Sequence, residues 1–419
     1  MSQDGLNQAY LLNYILDLKY KINLAHVFCS GFINRNMCFS HFDCFNNISP
    51  LEDWCILGGI ELKHILLLGA GHVHAAFLKN LETEELDCSI TCLSPSPFQY
   101  YSGMFSGFTE GLYEEEEIRI SVEELCSKTG ASFLKGEAVK IDPCLKQVET
   151  RAGKMISFDI LSVDIGSLTK FSSLSAHGVI SLKPTYTVPE RIKELRSEAN
   201  PVIIGGGAAG VKLALSAASF RRKYGLPSNL ILLSKTSLMD SFGEKLSSKI
   251  SRILIENGIR VIEHQEISKI EEYAIYTDDL HVKYDIALAV TGPKAHPLLI
   301  ESGMECDEHG FLLVNAKLQV PRFPFIFGAG DCVTLKQHSA LPKNGVYAIR
   351  QAPVLFENIR RFLSEDELTA FNPQKRFISI LSAGNKKGLF LYGGFSFYGS
   401  LAWRIKHLID RRYMRKMGS

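Results

Sequence analysis

The sequence is short of several things, and each shortage excludes a class of protein. It carries no surplus of charge: 46 Lys and Arg stand against 45 Asp and Glu, for a formal charge of +1. A globally basic nucleic-acid binder and an acidic disordered chain are both excluded. Ten cysteines in 419 residues are too sparse for a small disulfide scaffold. No run of 18 apolar residues is free of a charge or a glycine break, so no membrane-spanning helix is expected. Neither an HExxH motif nor a Ser-His-Asp set is found, which removes zinc peptidase and triad chemistry. What is present is a chain with 46% hydrophobic residues, long enough for two or three domains with a buried core.

Residues 1–60 differ in texture from the rest. They are rich in Asn and hold Cys29, Cys38, Cys44 and Cys55, with no CxxC pair among them, which argues against a zinc site. Asp4 precedes any basic residue, Asp17, Lys19 and Lys21 interrupt the apolar stretch, and the first arginine is Arg35. Secretory and mitochondrial leaders have the opposite pattern. A loosely attached extension or a start codon placed too far upstream are the two readings of this segment. A cytoplasmic location is the expectation, with attachment to the inner face of a membrane as its variant.

From His64 the order changes. His64-Ile65-Leu66-Leu67-Leu68 reads as a buried strand and runs into Gly69-Ala70-Gly71-His72-Val73-His74-Ala75, followed by a helical stretch over 75–81. Strand, glycine turn and helix form the unit that holds a dinucleotide pyrophosphate on backbone N–H groups at a helix N-terminus. Gly69 supplies the tight turn and Gly71 the close backbone approach, but His74 stands where the third glycine is expected. A second copy is complete: Pro201-Val202-Ile203-Ile204 leads to Gly205, Gly207 and Gly210, then to an apolar helical face over 211–220. A third strand, Phe325-Ile326-Phe327, ends in Gly328-Ala329-Gly330-Asp331-Cys332. Two further apolar strands close on small residues, at Gly166-Ser167 and at Thr291-Gly292. Two such units in one chain point to two nucleotides.

On these residues the chain resembles the pyridine-nucleotide–disulfide oxidoreductases, and within them the FAD-dependent type II NADH:quinone dehydrogenase branch. It is most similar there to the NADH-dehydrogenase-like flavoproteins sometimes fused to selenide, water dikinase. The stretches over 94–104 and 164–167, Arg350-Gln351-Ala352-Pro353 and the tail over 403–415 complete a likeness that covers about 62–416. The resemblance implies FAD in the first lobe, NADH or NADPH in the second, and a hydride passed to the flavin. It implies FAD contacts at Gly69, Ala70, Gly71, His72, His74, Ser94, Gly166, Gly330, Asp331 and Gln351, and nucleotide contacts at Gly205, Gly207, Gly210, Lys235 and Gly292. Asp331 is expected near the ribityl and pyrophosphate region. Gln351 is expected at the start of a helix over 354–363 whose end faces the ring.

The departures are specific. The acid that holds a ribose hydroxyl at the end of the second strand is missing in both lobes. The first has Ser94 and the second has Ser234-Lys235. Lys235 is either a 2′-phosphate contact that favours NADPH or a solvated lysine. Lys212 stands where the family often has a glutamate near the nicotinamide. His72 and His74 are either flavin neighbours or satisfied helix-start histidines. No CxxxxC pair exists, and the CxxxC at Cys88 and Cys92 falls on the strand over 89–93, so both read as packing residues. Thiol chemistry thus lacks its nucleophile, and flavin-to-acceptor electron transfer is left, with no catalytic side chain assigned. Glu114 to Glu117 read as a solvated helix start, not a metal site.

The tail holds Leu401, Ile405, Leu408 and Ile409 as one apolar stripe, with six cations against Asp410. It reads either as a basic amphipathic helix for a membrane surface or as a last helix packed on the core. The expected architecture is α/β: two Rossmann-like (three-layer ββα) dinucleotide-binding lobes, the second nested in the first, plus a C-terminal cap. The division is 61–185 with 290–350 for FAD, 186–289 for NAD(P)H and 351–419 for the cap, with 1–60 as extension. The expected partners are NAD(P)H and a quinone or another small acceptor, with no nucleic acid and no metal. The alternative from another class is a flavin-binding redox-partner or regulatory protein, linked to selenium metabolism, with little NAD(P)H turnover.

Overall fold

The structure, a computed structural model, describes residues 62–169 and 178–418. The extension over 1–60 and its four cysteines lie outside the described residues. The rest is an α/β fold built on two mainly parallel sheets.

The first sheet centres on His64–Leu68, an apolar run flanked in parallel by Ser89–Ser94 on one side and Ile160–Val163 on the other. Burial on both faces is what a continuous apolar strand of this type requires. Ser132–Lys135 extends one edge, and Phe323–Gly328 with Gln319–Val320 the other. The second sheet repeats the plan around Pro201–Ile204, flanked by Ile231–Leu233 and Ile286–Ala289, with Arg260–Ile262 and Val179–Ser181 outside them. Each repeat also carries a three-stranded antiparallel meander, beginning at Ala138–Asp142 in the first and at Ile267–Glu271 in the second.

The second sheet is inserted between two strands of the first, Ile160–Val163 and Phe323–Gly328. The two crossings, Leu168–Thr169 and Pro293–Lys294, pair with each other antiparallel. This brings the C-terminal ends of both sheets toward one junction, where open α/β sheets hold their ligands.

Both glycine turns are built alike. Gly69 N–H donates to the Leu93 carbonyl and Gly205 N–H to the Leu233 carbonyl, each at 2.8 Å. Both have left-handed φ values, +89° and +127°, and a Cβ would lie 2.5 Å from the Asp164 carbonyl oxygen or 2.4 Å from that of Val290. Only glycine fits such a position. The helices that follow, His72–Asn80 and Ala208–Lys223, both start earlier than the apolar pattern indicated.

The last segment is an antiparallel sheet of Ser379–Ser382, Gly388–Tyr392 and Phe395–Gly399, covered by the helix Ser400–Met417. Leu401 and Leu408 are 61% and 63% exposed, and Ile409 is exposed as well. The helix is packed on the fold, but through Ala402, Lys406, Asp410, Met414 and Met417 rather than through its apolar stripe. Its Lys406 donates to Asp410 and to the Gly103 carbonyl, so a polar pair can sit inside without an unmet hydrogen bond. No helix among the described residues is long and apolar enough to cross a membrane.

Candidate functional site

A cavity of about 400 Å³ opens at the first glycine turn. Its wall includes Gly69, Ala70, Gly71, His72, Ser94, Gly166, Gly330 and Asp331, so eight of the ten residues expected for FAD come together there. A second cavity of about 620 Å³ opens at the second turn and includes Gly205, Gly207, Lys235 and Gly292. Lys183 lines both cavities.

The glycines test whether a dinucleotide fits. At Gly166, Gly207 and Gly292, nothing lies within 4 Å of the place a Cβ would take. A side chain there would stand in the cavity and not against the protein, which is the space a pyrophosphate-approaching backbone keeps open. The first turn of the second helix supplies N–H groups and partial positive charge at its cavity. At the first helix Asp164 takes the N–H groups of Val73 and His74, which leaves those of Gly71 and His72 on the cavity wall.

Three expected residues lie elsewhere. His74 is fully buried on the other side of its helix, 2.6 Å from the Gly69 carbonyl through Nδ1 and 2.8 Å from the Ser162 hydroxyl through Nε2. Burial lowers it to about 4, against a weaker opposing effect of the Gly69 carbonyl, so the ring is neutral at pH 7. A neutral imidazole that donates through Nδ1 accepts the Ser162 hydroxyl through Nε2. His74 is the satisfied helix-start histidine; His72 is the one on the cavity wall, 3.1 Å from the Gln99 amide and also held neutral by burial. Gly210 packs its helix against the turn, where a Cβ would meet the Gly205 carbonyl oxygen at 1.9 Å. Gln351 is buried, accepts the Gly330 N–H at 2.7 Å, and lies behind the Gly-Asp turn. Its helix does not begin near 354: it spans Gly345–Leu363, capped by Asn344, with Pro353 inside, and presents Gly345 and Ala348 to the first cavity.

Two residues at the site carried no assignment from sequence. Asp164 ends its strand beneath the first glycine turn, and its Oδ2 accepts the N–H groups of Val73 and His74 at 2.8 and 3.1 Å. It thus caps a helix ninety residues away. Burial, only partly offset by those two bonds, raises its carboxyl to about 7. The acid opening Asp164-Ile165-Gly166-Ser167 was the available signal. Lys183 donates to Asp331 Oδ2 at 2.7 Å and to the Ser167 hydroxyl, tying the segment after Ile160–Val163 to the Gly-Asp turn. A lone lysine before a proline gave no signal.

The strand-end serines are occupied locally. The Ser94 hydroxyl donates to the Ser96 carbonyl at 3.0 Å, and Ser234 packs under Gly206. Lys235 is not simply solvated, since it pairs with Glu266 at 2.5 Å and both line the second cavity. Lys212 lines neither cavity. Its surroundings, Lys406 and Asp410, belong to the last helix, and burial, then Lys406, lowers it to about 8.

No described cysteine lines either cavity. Cys92 faces Cys126 in the core, and Cys332 donates to the Ala329 and Val163 carbonyls, its thiol pushed up to about 12 by burial. Among the described residues no acid, His or Cys cluster could hold a metal. The acids over 114–117 hold structure together: Glu115 accepts the Tyr100 hydroxyl at 2.8 Å and Glu117 pairs with Arg411.

Residues 63–352 match the family described as pyridine nucleotide-disulphide oxidoreductase. The chain is similar to the NADH dehydrogenase-like protein YutJ of Bacillus subtilis (strain 168), 23% identical over 363 residues, covering 83% of this chain and 99% of that one. It is similar to the type II NADH:quinone oxidoreductase of Staphylococcus saprophyticus, 22% identical over 394 residues, covering 85% and 96%. Its fold is similar to that of NDH2 from Plasmodium falciparum in complex with NADH, at a TM-score of 0.70 and 13% identity, covering 84% and 96%. The chain belongs to the pyridine nucleotide-disulphide oxidoreductase family, as an NAD(P)H-dependent flavin oxidoreductase that uses FAD.

Proposed function

We propose that the protein passes a hydride from NAD(P)H to FAD and hands the electrons on to a quinone. FAD would lie in the first cavity, along Ala70, Gly71, His72, Gly166, Gly330 and Asp331. NAD(P)H would lie in the second, along Gly205, Gly207 and Gly292. The observation that carries this reading is Lys183, which lines both cavities and marks where they meet. Hydride transfer needs the two reacting rings in direct contact, and adjoining cavities allow it.

FAD supplies the hydride-accepting ring; the chain supplies binding, orientation and charge. Pyrophosphate oxygens would be held by the Gly71 and His72 N–H groups that Asp164 leaves in the first lobe, and by the first-turn N–H groups of Ala208–Lys223 in the second. The Asp331 carboxylate, fixed by Lys183, offers an oriented acceptor for the hydroxyls of a ribityl chain. The apolar residues Leu68, Leu93, Phe98 and Leu298 on the first cavity wall keep water from the bound cofactor. No described thiol borders either cavity, so the electrons leave without a disulfide relay.

Quinone as acceptor is favoured by the likeness to a type II NADH:quinone oxidoreductase and by the outward apolar stripe of the last helix. Exposed leucines flanked by Arg404, Arg412 and Arg415 suit the surface of an anionic membrane, where quinone is dissolved. The FAD-loaded protein should oxidise NADH or NADPH with a short-chain benzoquinone as acceptor. Nucleotide oxidation that responds to no quinone would dismiss the acceptor. The double change Leu401→Glu and Leu408→Glu should abolish co-sedimentation with anionic vesicles, and unchanged sedimentation would dismiss membrane docking.

A further inference from the structure

We propose that Glu266 makes this protein select NADH over NADPH, supplying from the segment after a neighbouring strand the ribose-binding acid that the second strand's own end lacks. The inference rests on the second cavity's taking the nicotinamide dinucleotide.

In a dinucleotide lobe the 2′ position of the adenosine ribose lies at the end of the second strand. Here that strand is Ile231–Leu233, followed by Ser234 and Lys235. The Ser234 side chain is buried under Gly206 and cannot reach out. The next strand of the sheet is Arg260–Ile262. The segment after it stays alongside, since Ser234 N–H donates to the Ile262 carbonyl at 2.8 Å and Gln265 N–H to the Ser234 carbonyl at 3.1 Å. This places Glu266 beside Lys235, with Glu266 Oε1 2.5 Å from Lys235 Nζ, and both residues form part of the cavity wall. The other acid on this segment, Glu263, is taken by the Leu238 N–H at 2.7 Å, which leaves Glu266 as the acceptor.

The charge pattern then decides between a hydroxyl and a phosphate. Among the described residues three cations line the cavity, and each already has a partner. Lys183 is held by Asp331, Lys343 by the Val333 carbonyl and Thr334 Oγ1, and Lys235 by Glu266. A 2′-phosphate arriving at Lys235 meets a neutralised cation and an adjacent carboxylate, and like charges at this range repel. A ribose diol meets a carboxylate with free lone pairs that accepts its hydroxyl protons. Glu266 thereby does two things: it accepts from the diol, and it withholds Lys235 from a phosphate. Discrimination of this kind rests on a repulsive element as much as on an attractive one.

The test is isothermal titration of the full-length FAD-loaded protein with NAD⁺ and with NADP⁺ at low salt, where an exposed pair is least screened. Wild type should bind NAD⁺ the more tightly. Glu266→Gln should raise NADP⁺ affinity by roughly tenfold or more, as a freed cation gains a charge-assisted phosphate contact, while NAD⁺ affinity falls. Adding Lys235→Ala to Glu266→Gln should remove that gain. A Glu266→Gln protein whose NAD⁺ to NADP⁺ affinity ratio equals that of wild type overturns the inference, as does a wild type that binds NADP⁺ the more tightly. If neither nucleotide binds wild-type protein, the nucleotide reading of the second cavity fails along with it, a result distinct from binding with an unchanged ratio.

Discussion

The two glycine turns meet one structural demand by different chemistry. In both, the helix must start close under the carbonyl of the turn glycine. The second lobe achieves this by having nothing in the way: Gly210 sits where a Cβ would be 1.9 Å from the Gly205 oxygen. The first lobe puts a histidine in the equivalent place and makes the same carbonyl its hydrogen-bond acceptor, Gly69 to His74 Nδ1 at 2.6 Å. The difference extends to the strand alongside. Asp164 N–H donates to the Leu68 carbonyl as Val290 N–H donates to that of Ile204, yet one residue caps the helix with a carboxylate and the other is apolar. One lobe closes by steric fit, the other by a buried polar network, and only the second kind titrates.

The largest effect should follow from filling the steric contact. Gly210→Ala forces the helix off its strand and should cost about 3 kcal/mol, in line with overpacking against backbone. A urea midpoint equal to that of wild type would show that the second turn tolerates what the geometry forbids.

His74→Gln should cost about 2 kcal/mol through its lost and misplaced buried hydrogen bonds. Its pH signature separates the network from mere packing. His74 falls from an ordinary 6.5 to about 4 on folding, so the unfolded chain binds the extra proton between those values. Its contribution is therefore complete above pH 6.5 and is lost as pH falls toward 4, by at most about 1.4 kcal/mol per pH unit. Asp164 runs the other way. Its carboxyl is raised on folding to about 7, so it adds stability as pH drops below 7 and partly masks the histidine in the wild type. The difference between wild type and His74→Gln removes that background: the stability gap should narrow from pH 6.5 to pH 4.5. A gap that stays constant would mean that the histidine acts by shape alone.

Gly207→Ala should have the smallest effect on the fold, about 0.5 kcal/mol at a helix N-cap position, because no atom lies within 4 Å of the new methyl. Its effect should fall on nucleotide binding. The matching change in the first lobe, Gly71→Ala, places a methyl 2.4 Å from the Asp164 carboxylate and should lower stability as well. Equal melting temperatures for the two variants would break the comparison between the turns.

Much of this was legible in the sequence wherever the signal was local. Apolar runs ending in glycine marked His64–Leu68, Pro201–Ile204 and Phe323–Gly328, because a buried parallel strand and a tight turn each dictate residue types over a few positions. The site residues that escaped depend on partners far along the chain. Asp164 acts on a helix start ninety residues earlier, Lys183 on Asp331, and Glu266 on Lys235. His74 could be read either way because its second partner, Ser162, lies on another strand. The last helix was open to two readings. Its apolar stripe faces out while Lys406 and Asp410 go in, so periodicity located the helix but did not reveal which face it packs on the fold.

Reduction of the flavin by nucleotide tests the central claim, that two dinucleotide sites meet at Lys183. Protein purified with FAD should be yellow, and stoichiometric NADH added without oxygen should bleach that colour, with Lys183→Met slowing the bleaching. A yellow protein that keeps its colour in excess NADH and NADPH would contradict the account.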